Sequence, residues 1–197
     1  MMIMPANNSS AIVHYFAGKY PGKIGMLFTP FSYFMPGYYM PYALDNGCYT
    51  EWNEEKFFFM LRKVKLLRRK PMFVCVPDVV ADAEETTRRW HKYQDKITFK
   101  KAFVVQDGHE PQDVPQEAYA VFVGGSTQWK LDNAEKFKGV CGWLHIGRVN
   151  TPNRLKWAEE LGADSIDGTG FFRGGKKDYK YRGFVEYFEG REQLCLF

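Results

Sequence analysis

The chain has no paired-cysteine signature: Cys48, Cys75, Cys141 and Cys195 stand far apart, with no CxxC and no Cys/His cluster. A zinc site is therefore not expected, and no other metal or organic cofactor is implied. Free thiols suit a reducing compartment, so the expected location is the cytoplasm. No apolar run approaches the length of a membrane span. The opening MMIMPANNSS lacks the charged and apolar regions of a secretory signal. Internal repeats, linkers and long low-complexity segments are also missing. What remains is one domain over residues 1–197, long enough to bury a sizeable core.

The charge balance is mildly basic, at +4. That suits nucleic acid without requiring it. Aromatic residues make up 17% of the chain, more than a core alone needs. Two readings stay open for the excess: a groove or pocket lining, or extra core and turn residues.

Short apolar runs recur at 11–18, 24–30, 42–47, 72–78, 101–108, 119–125, 142–149 and 163–170, each closing on Gly, Pro, Asp or Asn or running just past one. Their near-continuous apolar character is what a parallel strand covered on both faces requires. Helical patterns lie between several of them. Residues 54–70 mix apolar and basic positions at helical spacing, and 82–96 begin acidic and end basic. Residues 151–162 offer a Thr cap, Pro152 at the first helical position and Gly162 at the end. Alternating strand and helix give the α/β class. Eight strand candidates predict a compact (β/α)8 TIM-type barrel. Residues 30–42 read as a Pro- and Tyr-rich loop, and 171–197 as a short final helix or a segment packed across the barrel base.

Polar residues collect at the C-terminal ends of these strands: Asp45 and Asn46, Asp78, Gln106 and Asp107, Gly124 and Gly125, Arg148, then Asp167. Barrel active sites are built on that rim. Each residue also has a plainer explanation. Asp78 in VPD looks like a helix cap, and the glycine pair can serve a tight turn. Among the histidines, His14, His91 and His109 read as structural, while His145, inside a strand, is the one able to line a pocket. The run Arg68-Arg69-Lys70 reads as a solvated helix end.

The segments LDNGCY, VPD, VVQDG, VGGS, LHIGRV and SIDGTGFFRGGK, in that order, resemble the tRNA-guanine transglycosylase family over about Leu44 to Lys176. The resemblance implies a barrel enzyme that breaks the bond between a nucleobase and its sugar. It implies catalytic roles for Asp167, as nucleophile, and Asp45, as the carboxylate beside the reacting sugar. Base-binding roles fall on Asn46, Tyr49, Asp78, Gln106, Gly124 and Gly125, with His145 added from its strand position. Backbone-phosphate roles fall on Arg148, Arg173, Lys176 and Lys177.

The chemistry suits these residue types. Breaking a base–sugar bond builds positive charge on the sugar, which a carboxylate on the opposite face stabilises or traps. A second carboxylate moves protons to the leaving base or from the incoming nucleophile. The target base must leave the stack, where an aromatic ring can sandwich it.

The chain also departs from the family. The zinc site is absent, Asn46 replaces a Ser and Cys48 a Gly, and Ser-Thr-Gln-Trp follows the glycine pair. The chain resembles more closely the family's small zinc-less members, which are associated with phage DNA modification and with bacterial attack on modified phage DNA. The expected activity is a DNA glycosylase that removes a modified base. Base exchange with a 7-deazaguanine-type base is the alternative. A non-catalytic nucleic-acid-binding barrel and an unrelated metabolite enzyme are further readings.

Overall fold

Local side chains start the helices. Asn53 accepts from the Lys56 amide at 2.9 Å to open α2 (Glu54–Lys65), and Asp82 accepts from Glu85 at 2.9 Å to open α3 (Ala83–Tyr93). Ser126 precedes α4 (Thr127–Asn133), and Thr151 with Pro152 begins α5 (Pro152–Glu160). Such caps satisfy amide donors that the first helical turn leaves free. Past α2, Lys70 Nζ donates to the carbonyls of Lys65 and Leu67, so the basic run closes off the helix end.

The computed structural model describes residues 1–6, 10–31 and 39–194, with side chains to Gly190. Its strands are β1 (Met2–Met4), β2 (Met26–Phe28), β3 (Tyr42–Leu44), β4 (Val74–Cys75), β5 (Lys101–Val105), β6 (Ala120–Val123), β7 (Leu144–Ile146) and β8 (Ser165–Asp167). All neighbours pair in parallel, in the order β1-β8-β7-β6-β5-β4-β3-β2. Parallel bridges from Ile3 to Ile24 and from Ala6 to Leu27 bring the two edges together. The result is a nearly closed (β/α)8 barrel, completed by α1 (Ala11–Lys19), α6 (Gly170–Arg173) and α7 (Tyr179–Leu194).

Two-residue alternation divides the strand side chains. Met4, Leu27, Ala43, Cys75, Ala102, Val104, Ala120 and Phe122 form one cluster with Phe73. Ile3, Phe28, Leu44, Val74, Phe103, Val121, Ile146 and Ile166 belong to the larger cluster that the helices cover. Six helices add an apolar anchor: Phe16 from α1, Phe57 from α2, Trp90 from α3, Leu155 from α5, Phe171 from α6 and Phe184 from α7. Full burial of such a side chain contributes about 1.5–3 kcal/mol. Among the described residues, no helix is long and apolar enough to cross a membrane.

Two expectations need correction. Residues 11–18 are not a strand: they lie in α1, where Val13, Phe16 and Ala17 are buried at the i, i+3, i+4 spacing of a helix face. The first strand is instead Met2–Met4, whose Met4 pairs with Asp167. The final segment holds α6 and then a sixteen-residue α7, not one short helix. Phe16 meets Phe184 edge-on at 4.9 Å, docking α7 against α1. Most of the Pro- and Tyr-rich loop, residues 32–38, lies outside the described residues.

Candidate active site

The parallel barrel delivers the polar residues to one place because each stands at or just beyond a strand's C-terminal end. There a cleft of about 940 Å³ is lined by Asp45, Asn46, Tyr49, Asp78, Gln106, Gly124, Gly125, Arg148, Asp167 and Arg173. Ten of the thirteen residues expected at the site meet in it. His145 does not reach the surface; it is fully buried, beside Asp167. Lys176 and Lys177 stand exposed on the loop between α6 and α7, outside the lining.

Asp78 is not a helix cap; Asp82 fills that position for α3. Asp78 is buried, and both its oxygens accept hydrogen bonds, Oδ1 from Asn46 Nδ2 at 2.7 Å and Oδ2 from Gln106 Nε2 at 2.5 Å. Asn46 Nδ2 also donates to the Val76 carbonyl at 2.9 Å, while its Oδ1 accepts from Cys48 N at 2.8 Å. Gln106 Oε1 accepts from the amides of Ala81 and Gly125, both at 2.9 Å. These two side chains are thus engaged in holding the carboxylate. Burial raises Asp78 to about 6, against the lowering effect of these donors.

The glycine pair serves this bracket. A Cβ on Gly124 would sit 2.7 Å from Gln106 Nε2, and one on Gly125, at φ 66°, would sit 2.5 Å from Asp107 Oδ1. Gly124→Ala should displace the Gln106 amide and loosen Asp78. The expected result is a KM about tenfold higher with kcat nearly unchanged, measured on any substrate that the cleft is found to turn over. An unchanged KM would separate the bracket from ligand binding.

Asp45 is partly buried and accepts from the Asn46 amide at 2.8 Å. Burial, with the charges of Asp78 and Asp167 nearby, raises it to about 7. Asp167 is buried, and its Oδ1 accepts from the Arg148 amide at 2.6 Å. That amide points inward because Arg148 takes a left-handed backbone, φ 58°. Ala81, φ 59°, is the other such non-glycine residue among those described, and its amide serves Gln106. Strained backbone that places a donor is a common feature of functional sites. The Arg148 guanidinium donates to the Gly125 carbonyl and lies 4.9 Å from the ring centre of Tyr49, which is largely exposed.

Several contributors gave no sequence signal. Arg89, on a helix that reads only as amphipathic, donates to the Asp78 carbonyl at 2.8 Å. Lys180, Asn150, Thr29 and Thr169 also line the cleft. The Cys48 thiol, pushed up to about 12 by burial and the Asp78 charge, is unsuited to act as a nucleophile.

The arrangement brings together in one cleft a carboxyl group raised to about 7, a second carboxylate held by a backbone amide, a bracketed carboxylate and cationic side chains. No group of three or more His, Cys, Asp or Glu among the described residues is placed to hold a metal ion. Comparison with models of known protein families finds no match, and comparison with curated proteins finds none either.

Proposed function

We propose that the chain cleaves N-glycosidic bonds in nucleic acid, as a DNA glycosylase that removes a modified nucleobase and leaves an abasic site. The observation that carries this reading is the pairing in one cleft of Asp45, raised to about 7, with Asp167, gripped by a backbone amide. Carboxylates with different environments divide acid and nucleophile roles between them. The ordered resemblance to the transglycosylase family supplies the reaction class.

In this scheme Asp167 attacks the anomeric carbon of the flipped nucleotide. The base–sugar bond breaks, its electron pair leaves with the base, and Asp45 donates the proton. A water molecule then attacks the anomeric carbon and gives its proton to Asp45, the bond from that carbon to Asp167 breaks, and its electron pair returns to the Asp167 carboxylate. Asp78 faces the base edge, Tyr49 offers a stacking ring, and Arg148, Arg173 and Lys180 offer cations to phosphates. Hydrolysis is preferred to base exchange because the pocket departs from the family's pattern, with Asn46, Cys48 and the Ser-Thr-Gln-Trp run after the glycine pair.

The test is incubation of the purified protein with DNA carrying unmodified or hypermodified bases, with and without an added 7-deazaguanine base. Free bases and abasic sites are scored by mass spectrometry. Abasic sites are expected. Incorporation of the added base without abasic sites would replace hydrolysis by exchange. Base release from neither DNA nor RNA would contradict the reading.

A further inference from the structure

His145 has no packing reason to be a histidine. It is fully buried in the barrel, stacked on Phe122 at 4.4 Å between ring centres and edge-on to Phe73 at 5.5 Å, a place that a phenylalanine would fill. Its two nitrogens face polar atoms. Nδ1 lies 2.7 Å from Ser165 Oγ, and Nε2 lies 3.5 Å from Asp167 Oδ1 with no hydrogen-bond partner. Ser165 is itself fully buried and accepts from Trp143 Nε1 at 2.8 Å.

The proton inventory fixes the direction of this chain. An indole nitrogen only donates, so Ser165 accepts from Trp143 and has one hydroxyl proton left to give. His145 Nδ1 is the acceptor within reach. A proton on Nδ1 instead would leave the hydroxyl proton without that acceptor, and would turn the Nε2 lone pair toward a carboxylate in a buried site.

We propose that His145 is a positioning residue for Asp167, held by Trp143 and Ser165 as the tautomer whose Nε2–H faces Oδ1. This role rests on the proposed nucleophilic function of Asp167. Oδ1 then has two donors, the Arg148 amide and the His145 ring, and Oδ2 is the oxygen presented to the anomeric carbon. When the ester forms, the new bond is made by Oδ2, and Oδ1 becomes the ester carbonyl without leaving its donors. The 3.5 Å separation is long for a hydrogen bond, and the proposed role requires it to shorten when substrate packs the cleft.

Two measurements test this. Nitrogen-15 NMR of the imidazole in the unliganded protein reads the tautomer without any reaction. A protonated Nε2 and a bare Nδ1 are expected, with Ser165→Ala moving population toward Nδ1–H. A protonated Nδ1 in the wild type would overturn the assignment, whatever the fate of the proposed function. On a cleavable substrate, His145→Gln keeps an N–H near the Nε2 position, whereas His145→Asn keeps one only near Nδ1. The Asn variant is expected to lose kcat by about 10–100-fold with KM unchanged, and the Gln variant to recover most of it. Equal losses in two variants that melt at similar temperatures would contradict the positioning role.

Discussion

Replacing Asp167 by Asn lowers kcat by about 10³–10⁵-fold, with little change in substrate affinity or melting temperature. The substitution is nearly isosteric, and the amide oxygen can still accept the Arg148 amide that now reaches Oδ1 at 2.6 Å. What disappears is the negative charge that would face the developing cation and the lone pair that would form the sugar ester. Asp167 also helps to raise Asp45, so the same variant should lower the Asp45 pKa from about 7. Titration of Asp45 by carbon-13 NMR in the two proteins checks this second effect. Retention of more than a tenth of the wild-type kcat would remove Asp167 from the chemistry.

Asp45→Asn should cost about 10²–10⁴-fold in kcat and abolish the fall in activity expected of the wild type as pH rises through about 7. The amide can still hydrogen-bond but has no proton to give the leaving base. The effect on stability runs the other way. Folding raises Asp45 from 3.8 to about 7 and Asp78 from 3.8 to about 6. Between those limits the native state holds protons that the unfolded chain has released. Stability from these groups is complete below about pH 4 and is lost as pH rises through the folded values. Asp45→Asn removes one of the groups and should stabilise the protein at pH 8 by on the order of 2 kcal/mol, allowing for solvent at a partly exposed carboxylate. Urea melts of both proteins at pH 5 and pH 8 measure this. A variant less stable than wild type at pH 8 would contradict the assigned environment of Asp45. Active-site residues that oppose stability are a familiar consequence of concentrating charge for function.

The rim residues were legible because they punctuate strands: an apolar run followed by Asp, Asn, Gln or Gly marks the end at which barrel sites are built. Asp167 stands two residues after Ser165 and both flank Ile166 of the outer cluster, so period-two alternation already places them on one face of β8. Strand β1 was missed because three residues are too few for a period to show, and its place in the barrel is set by pairing with β8. Helix α1 was misread because its short apolar stretch carries too little polar contrast to separate a helix face from a strand. The roles of Asn46 and Gln106 were hidden for a different reason. Their side chains are committed to Asp78 across loops 28–32 residues apart in sequence, a fact that only the folded barrel creates. Arg89 and Lys180 act through the same kind of long-range placement, as does the Trp143–Ser165–His145 chain.

The central claim is that the Asp167 carboxylate reacts at a nucleotide's anomeric carbon. The most direct measurement is acid quenching of the protein during its first turnover on modified DNA, followed by intact mass and peptide mapping. The account predicts a DNA adduct on the Asp167 peptide that is absent from Asp167→Ala. Base release by Asp167→Ala at the wild-type rate, with no adduct in either protein, would contradict it.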